Sequence, residues 1–135
     1  MKVVVIDGQS GRTGQLFIEK VCAAGLECEL IAIGANALAT SAMLKAGASQ
    51  AATGENSVVV ASRSADVIVG PIGIVAADSM LGEITPKMAV AVGQSDAKKL
   101  LLPVNLCNNI VVGTQNLTLS KLVDEAVETL RGILA

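Results

Sequence analysis

Apolar residues run along this chain in short blocks, and the glycine and polar breaks between them fit strands alternating with helices. Lys2–Ile6 is a continuous β-branched run of the kind that predicts a strand buried on both faces. The period then lengthens. Leu16, Phe17, Val21 and Ala24 share one helical face, Glu19 and Lys20 lie opposite, and Gly25 stands where a C-terminal cap belongs. Cys28–Ile33 predicts a second strand. Asn36 caps a following helix, Ala37–Ala46, which is nearly all apolar, is expected to be largely buried, and closes at Gly47. A short third strand is expected at Gln50–Thr53, then a brief helix around Asn56–Ala61.

Asp66–Val69 predicts a fourth buried strand, running into the glycine turn Gly70-Pro71-Ile72-Gly73. Ile74–Leu81 reads as a helix stopped by Gly82, and Thr85-Pro86 opens another that Gly93 ends. Lys99–Val104 and Ile110–Val112 are the fifth and sixth predicted strands, joined by a turn through Asn105–Asn109. The last helix has the clearest period, with Leu119, Leu122, Val123, Ala126, Val127, Leu130 and Leu134 on one face. Lys121, Asp124, Glu125, Glu128 and Arg131 face the other way. This alternation predicts a single α/β domain, a three-layer Rossmann-like parallel sheet of about six strands in the order 3-2-1-4-5-6. The last strand is open to either direction, because a hairpin would make it antiparallel.

Composition narrows the chemistry. The 135 residues suit one domain, and 52% are hydrophobic against 16% charged. No apolar run approaches the ~20 residues of a membrane helix, and Asp7 ends the first run before a signal-peptide core could form. A cytoplasmic location without membrane partners is therefore expected. The net charge is −2 with no basic cluster beyond Lys98-Lys99, and Phe17 is the one aromatic residue, so nucleic acid is not expected as a partner. The low charge fraction favours a homo-oligomer.

Having no His, the chain lacks the usual base of serine and cysteine nucleophiles; having no Tyr, it lacks the acid–base pair of short-chain dehydrogenases. Cys22, Cys28 and Cys107 have no Cys-x-x-Cys spacing, so no metal site is expected; they read as buried thiols, with Cys107 the likeliest of the three to be exposed.

What remains is a place for a ligand. Gly8, Gly11 and Gly14 stand directly between the first strand and its helix, in the turn Gly8-Gln9-Ser10-Gly11-Arg12-Thr13-Gly14. Such a turn leaves helix N–H groups unpaired and lets an anion approach them. The same glycines would also serve close packing of strand on helix. In the expected strand order this turn and Gly70–Gly73 meet where the winding direction reverses, the usual ligand crevice of open α/β sheets. The end of the second strand reads Ile33-Gly34-Ala35-Asn36, without the acid that would hold an adenosine ribose, which disfavours NAD. Asn36 and Arg12 keep NADP, a mononucleotide or another phosphorylated small molecule open. Asp78, Glu83 and Lys87 are the weak candidates for acid–base chemistry. Three functions stay open: a binding module, a small enzyme using Asp, Glu and Lys with a site shared between subunits, and an interaction or structural protein without a ligand.

The runs Gly34–Ala48, Ala52–Asn56 and Ala65–Ile74, continuing through Ser79–Pro86, together with the opening Val-Ile-Asp-Gly-Gln, resemble a small bacterial family. It is a domain of unknown function, the one numbered three-eight-four-two. The resemblance covers nearly the whole chain and implies a stand-alone Rossmann-like domain with no assigned activity. The first turn of that family is richer in glycine, and Ser10, Arg12 and Thr13 depart from it.

Overall fold

The computed structural model describes residues 1–135. Five strands, β1 (Lys2–Asp7), β2 (Glu29–Gly34), β3 (Gln50–Thr53), β4 (Val67–Pro71) and β5 (Lys98–Leu102), form one parallel sheet in the order β3-β2-β1-β4-β5. Helices α1 (Arg12–Ala23), α2 (Ala37–Ala46), α3 (Glu55–Ser64), α4 (Pro86–Gln94) and α5 (Leu119–Leu134) cover it.

The β-branched run of β1 explains its central position. Side chains alternate across a strand, so Val3 and Val5 enter one core while Val4 and Ile6 enter the other, all fully buried. On the first face they meet Phe17, Ile18 and Val21 of α1, Met43 of α2, and Val123, Val127 and Leu130 of α5. On the second they meet Val58 of α3 and Met88 and Val92 of α4. Each such side chain removed from water contributes on the order of 1.5–3 kcal/mol. A strand that needs two apolar faces thus dictates three layers.

Three expectations about the elements need correcting. The sheet has five strands, because Ile110–Val112 forms none: Ile110 is 88% and Val112 92% exposed. Left-handed backbone at Asn105, Cys107 and Asn108, and local bonds such as Asn109 N–H to Leu106 C=O (2.8 Å), spend that segment on turns. A three-residue run gains too little from ladder bonds to override them. Ile74–Leu81 is not a helix either. A 3₁₀ turn, Ile72–Val75, gives way to turns in which Asp78, Met80 and Leu81 all have positive φ. There Ser79, 4% exposed, donates to Gly73 C=O at 2.5 Å, a tertiary contact that a continuous helix would forgo. Finally, α2 buries only Ala39 and Met43; it lies over β2 and β3 and leaves Leu38 (67%) and Leu44 (49%) in water.

Cys22 and Cys107 are exposed and Cys28 is half-buried, so the cysteines are not the buried set expected. No helix is long and apolar enough to cross a membrane.

Candidate functional site

The winding reverses between β1 and β4, whose carboxyl ends are Asp7 and Pro71. Gly11 precedes α1 in left-handed conformation (φ 73°), which turns the chain sharply from strand to helix. The amides that such a turn presents do not all face solvent. Asp7 folds its carboxylate back into the loop and accepts from Gly8 N–H through Oδ1 and from Gly14 N–H through Oδ2, both at 2.8 Å. Asp7 is 2% exposed, so its carboxyl group meets these amides with almost no water beside it. Burial pushes its pKa above the ordinary aspartate value; backbone bonds from Gly14, Gly8 and Thr13 pull the other way, and the nearby Glu83 carboxylate adds to the rise.

Glu83 occupies the outer side of the same turn. Both its carboxylate oxygens accept from Gln9 N–H, at 3.1 and 3.2 Å, and its Oε1 accepts from Asn36 Nδ2 at 2.6 Å. Asn36 also donates to Gln9 C=O (3.0 Å), and its Oδ1 caps α2 by accepting from Ala39 N–H (2.9 Å). The predicted helix cap is therefore also the bridge between the glycine turn and the segment that follows β4.

That segment covers the crevice. A Cβ on Gly8 would come within 2.8 Å of Met80 Sδ and 3.2 Å of Glu83 Oε1; one on Gly73 would meet Ser79 Oγ at 3.1 Å. Gly11 lies against Ala39 of α2, with 2.7 Å from its Cβ position to Ala39 Cα. Gly14 lies against Met43, and Gly70 against the Ile6 carbonyl oxygen across the sheet. All five glycines of the two turns thus serve close approach of protein on protein. The main surface grooves, of about 260–410 Å³, lie elsewhere, for example between α3 and α4 around Arg63, Gln94 and Asp96.

Of the residues singled out in the sequence, Gly8, Gln9, Asn36, Gly73 and Glu83 come together here. Pro71 is buried at the end of β4 and Ile72 starts the 3₁₀ turn beyond it. Thr13 is buried at the start of α1, while Ser10 and Arg12 face solvent at the mouth. The two ion pairs of the molecule are Lys20–Asp124 and Arg131–Glu128, so the Arg12 guanidinium has no carboxylate partner. Asp78 and Lys87 are exposed and make no side-chain hydrogen bond with Glu83. No group of three or more acidic or Cys side chains stands close enough to hold a metal ion.

A family model described as Domain of unknown function (DUF3842) matches residues 2–135. The chain belongs to that family. No curated protein and no solved structure matches this chain. What this family member offers chemically therefore rests on its own geometry: two carboxylates held by the amides of one glycine turn, one buried and one reaching in from 74 residues away. Asp7, which the sequence offers as a strand-end acid that an Asx-turn would explain, instead binds two amides of the glycine turn, six residues apart. Its signal in the sequence is an acid at the last position of a buried strand directly before the glycine turn.

Proposed function

We propose that this chain is a binding module for a phosphate-bearing small molecule, taken at the mouth of the crevice between β1 and β4. The observation that carries the reading is the Glu83 carboxylate on Gln9 N–H: the turn already holds an anion, one supplied by the chain itself. A phosphate group offers the same acceptor chemistry with more oxygens and more charge. Beside it, Ser10 and the unpaired Arg12 supply further donors at the surface. In this reading the ligand takes the place of Glu83, and Met80 and Leu81 move with it. A nucleotide, NADP or a sugar phosphate fits that chemistry, whereas NAD lacks an acid at the end of β2 to meet its ribose.

A second reading, a chain that keeps the fold and binds nothing at this place, is favoured by the packing of Gly8, Gly11 and Gly14 against Met80, Ala39 and Met43. Thermal unfolding against nucleotides, NADP, NAD, coenzyme A and sugar phosphates separates the two, using wild type, Glu83→Gln and Arg12→Ala. At least one phosphorylated compound should stabilise wild type, and Glu83→Gln should raise its effect by removing the competing charge. Arg12→Ala should weaken binding about tenfold or more, the size of a lost hydrogen bond to a charged group. A panel without a stabilising phosphate compound, for wild type and Glu83→Gln alike, would establish the second reading.

A further inference from the structure

The segment between β5 and α5 differs in kind from the rest of the molecule. Between Lys99 and Lys121 there is no charged residue, in a chain where 16% of positions carry charge. Within it Ile110 and Val112 stand 88% and 92% in water, and Val111 lies between them. Three consecutive β-branched residues are strand formers by side-chain shape. Here they pair with nothing, and their neighbours bond only locally, as Thr114 Oγ1 does to Val111 C=O at 2.8 Å.

The molecule also has an open place for a strand. β5 is the last strand on its side of the sheet, and its outward N–H and C=O groups have no ladder partner. A groove of about 260 Å³ runs along it, lined by Leu100 and Leu102 and by Leu122 and Ala126 of α5. One surface lacks a strand and one segment lacks a sheet, and both belong to the same chain.

We infer that residues 103–118 form an arm that joins two copies of this chain, each laying Ile110–Val112 along the β5 edge of the other. The exchange is two-fold and self-complementary, so it closes at a dimer. Charge selects this mode over edge-to-edge pairing. Lys98 and Lys99 put charge on the β5 edge, which discourages the pairing of one such edge with another, whereas the arm brings no charge at all. Reach allows it, since the eight residue-to-residue steps from Leu102 to Ile110 span up to about 26 Å when extended. Size allows it as well. The sixteen residues of the arm and the five of β5 approach the roughly 20–30 residues a side of a standard interface.

Sedimentation equilibrium of wild type and of the double variant Ile110→Asp, Val112→Asp is the test, with hydrogen exchange of β5 amides followed alongside. Wild type should sediment at twice the 13.6 kDa of one chain, and the double variant as a monomer with unchanged helix content. The β5 amides should then exchange at least tenfold faster in the variant. Should the two acids unfold the chain, Ile110→Thr with Val112→Thr should still weaken the dimer about tenfold. Monomeric wild type at about 100 µM overturns the inference, whether β5 is open or covered by the arm of its own chain. So does a dimer that both variants leave intact.

Discussion

The segments after β1 and after β5 both leave a parallel strand at its carboxyl end, and they reach opposite states. After β1, within eight residues, the chain has turned back into a helix with Asp7 on two of its amides and Glu83 on a third. After β5, sixteen residues pass before the next helix, with apolar side chains in water and hydrogen bonds that are mostly local. The first region meets its needs within one chain; the second leaves them for something else to meet. A turn at the centre of a sheet is surrounded by neighbours that can supply partners. A segment at the edge has a neighbour on one side only.

The largest effect is expected where the first region has no slack. Gly11→Val puts a β-branched side chain at φ 73° and against the α2 backbone, and should cost about 3 kcal/mol or more in urea unfolding. An equally bulky change at Gly113, which also has positive φ (87°) but no neighbour within 4 Å, should cost only the backbone strain, about 1–2 kcal/mol. If the two variants are equally unstable, close packing is not what distinguishes the regions.

Asp7→Ala comes next. It strips the acceptor from two buried N–H groups and should cost on the order of 3 kcal/mol in acid. The pH dependence follows from the raised pKa of Asp7. A carboxyl that holds its proton more tightly when folded adds stability fully below its unfolded pKa of about 4, and loses that share as pH rises through the higher folded value. The gap between wild type and Asp7→Ala, followed by denaturation from pH 3 to 7, should therefore narrow as pH increases. A gap that widens would mean that the amides of Gly8 and Gly14 outweigh burial.

The smallest expected effect concerns the cover over the crevice. Leu81 is 98% exposed at φ 56°, so its side chain gains no packing while its backbone is strained. Leu81→Gly should relieve that strain and raise stability by about 0.5–1 kcal/mol, part of the relief being offset by the freer unfolded chain. A destabilised Leu81→Gly would show that the exposed leucine is held by a contact, as a bound partner would provide.

Much of the fold was legible along the chain. The heptad-like period of Leu122, Val123, Ala126, Val127 and Leu130 placed α5, and Asn36 and Thr85 marked the starts of α2 and α4, where each indeed accepts from a backbone N–H. The candidate site was legible only in part. The glycines of the first turn were visible, but their neighbours Ala39, Met43 and Met80 were not, since nothing local ties Gly8 to Met80. Two errors had different causes: Ile74–Leu81 has the composition of a helix but turns so that Ser79 reaches Gly73, whereas Ile110–Val112 has the composition of a strand but is spent on local turns.

The parallel α/β layout, the central place of β1 and the caps Asn36 and Thr85 follow from the order of residues alone, because period and capping act over about four residues. That the turn after β1 closes on carboxylates of its own chain, and that the Ile-Val-Val run stays unpaired, emerges from the folded arrangement. The first outcome depends on which strands become neighbours. Glu83 meets Gln9 because β4 lies beside β1, while residues 103–118 pair with no strand although the β5 edge beside them is open.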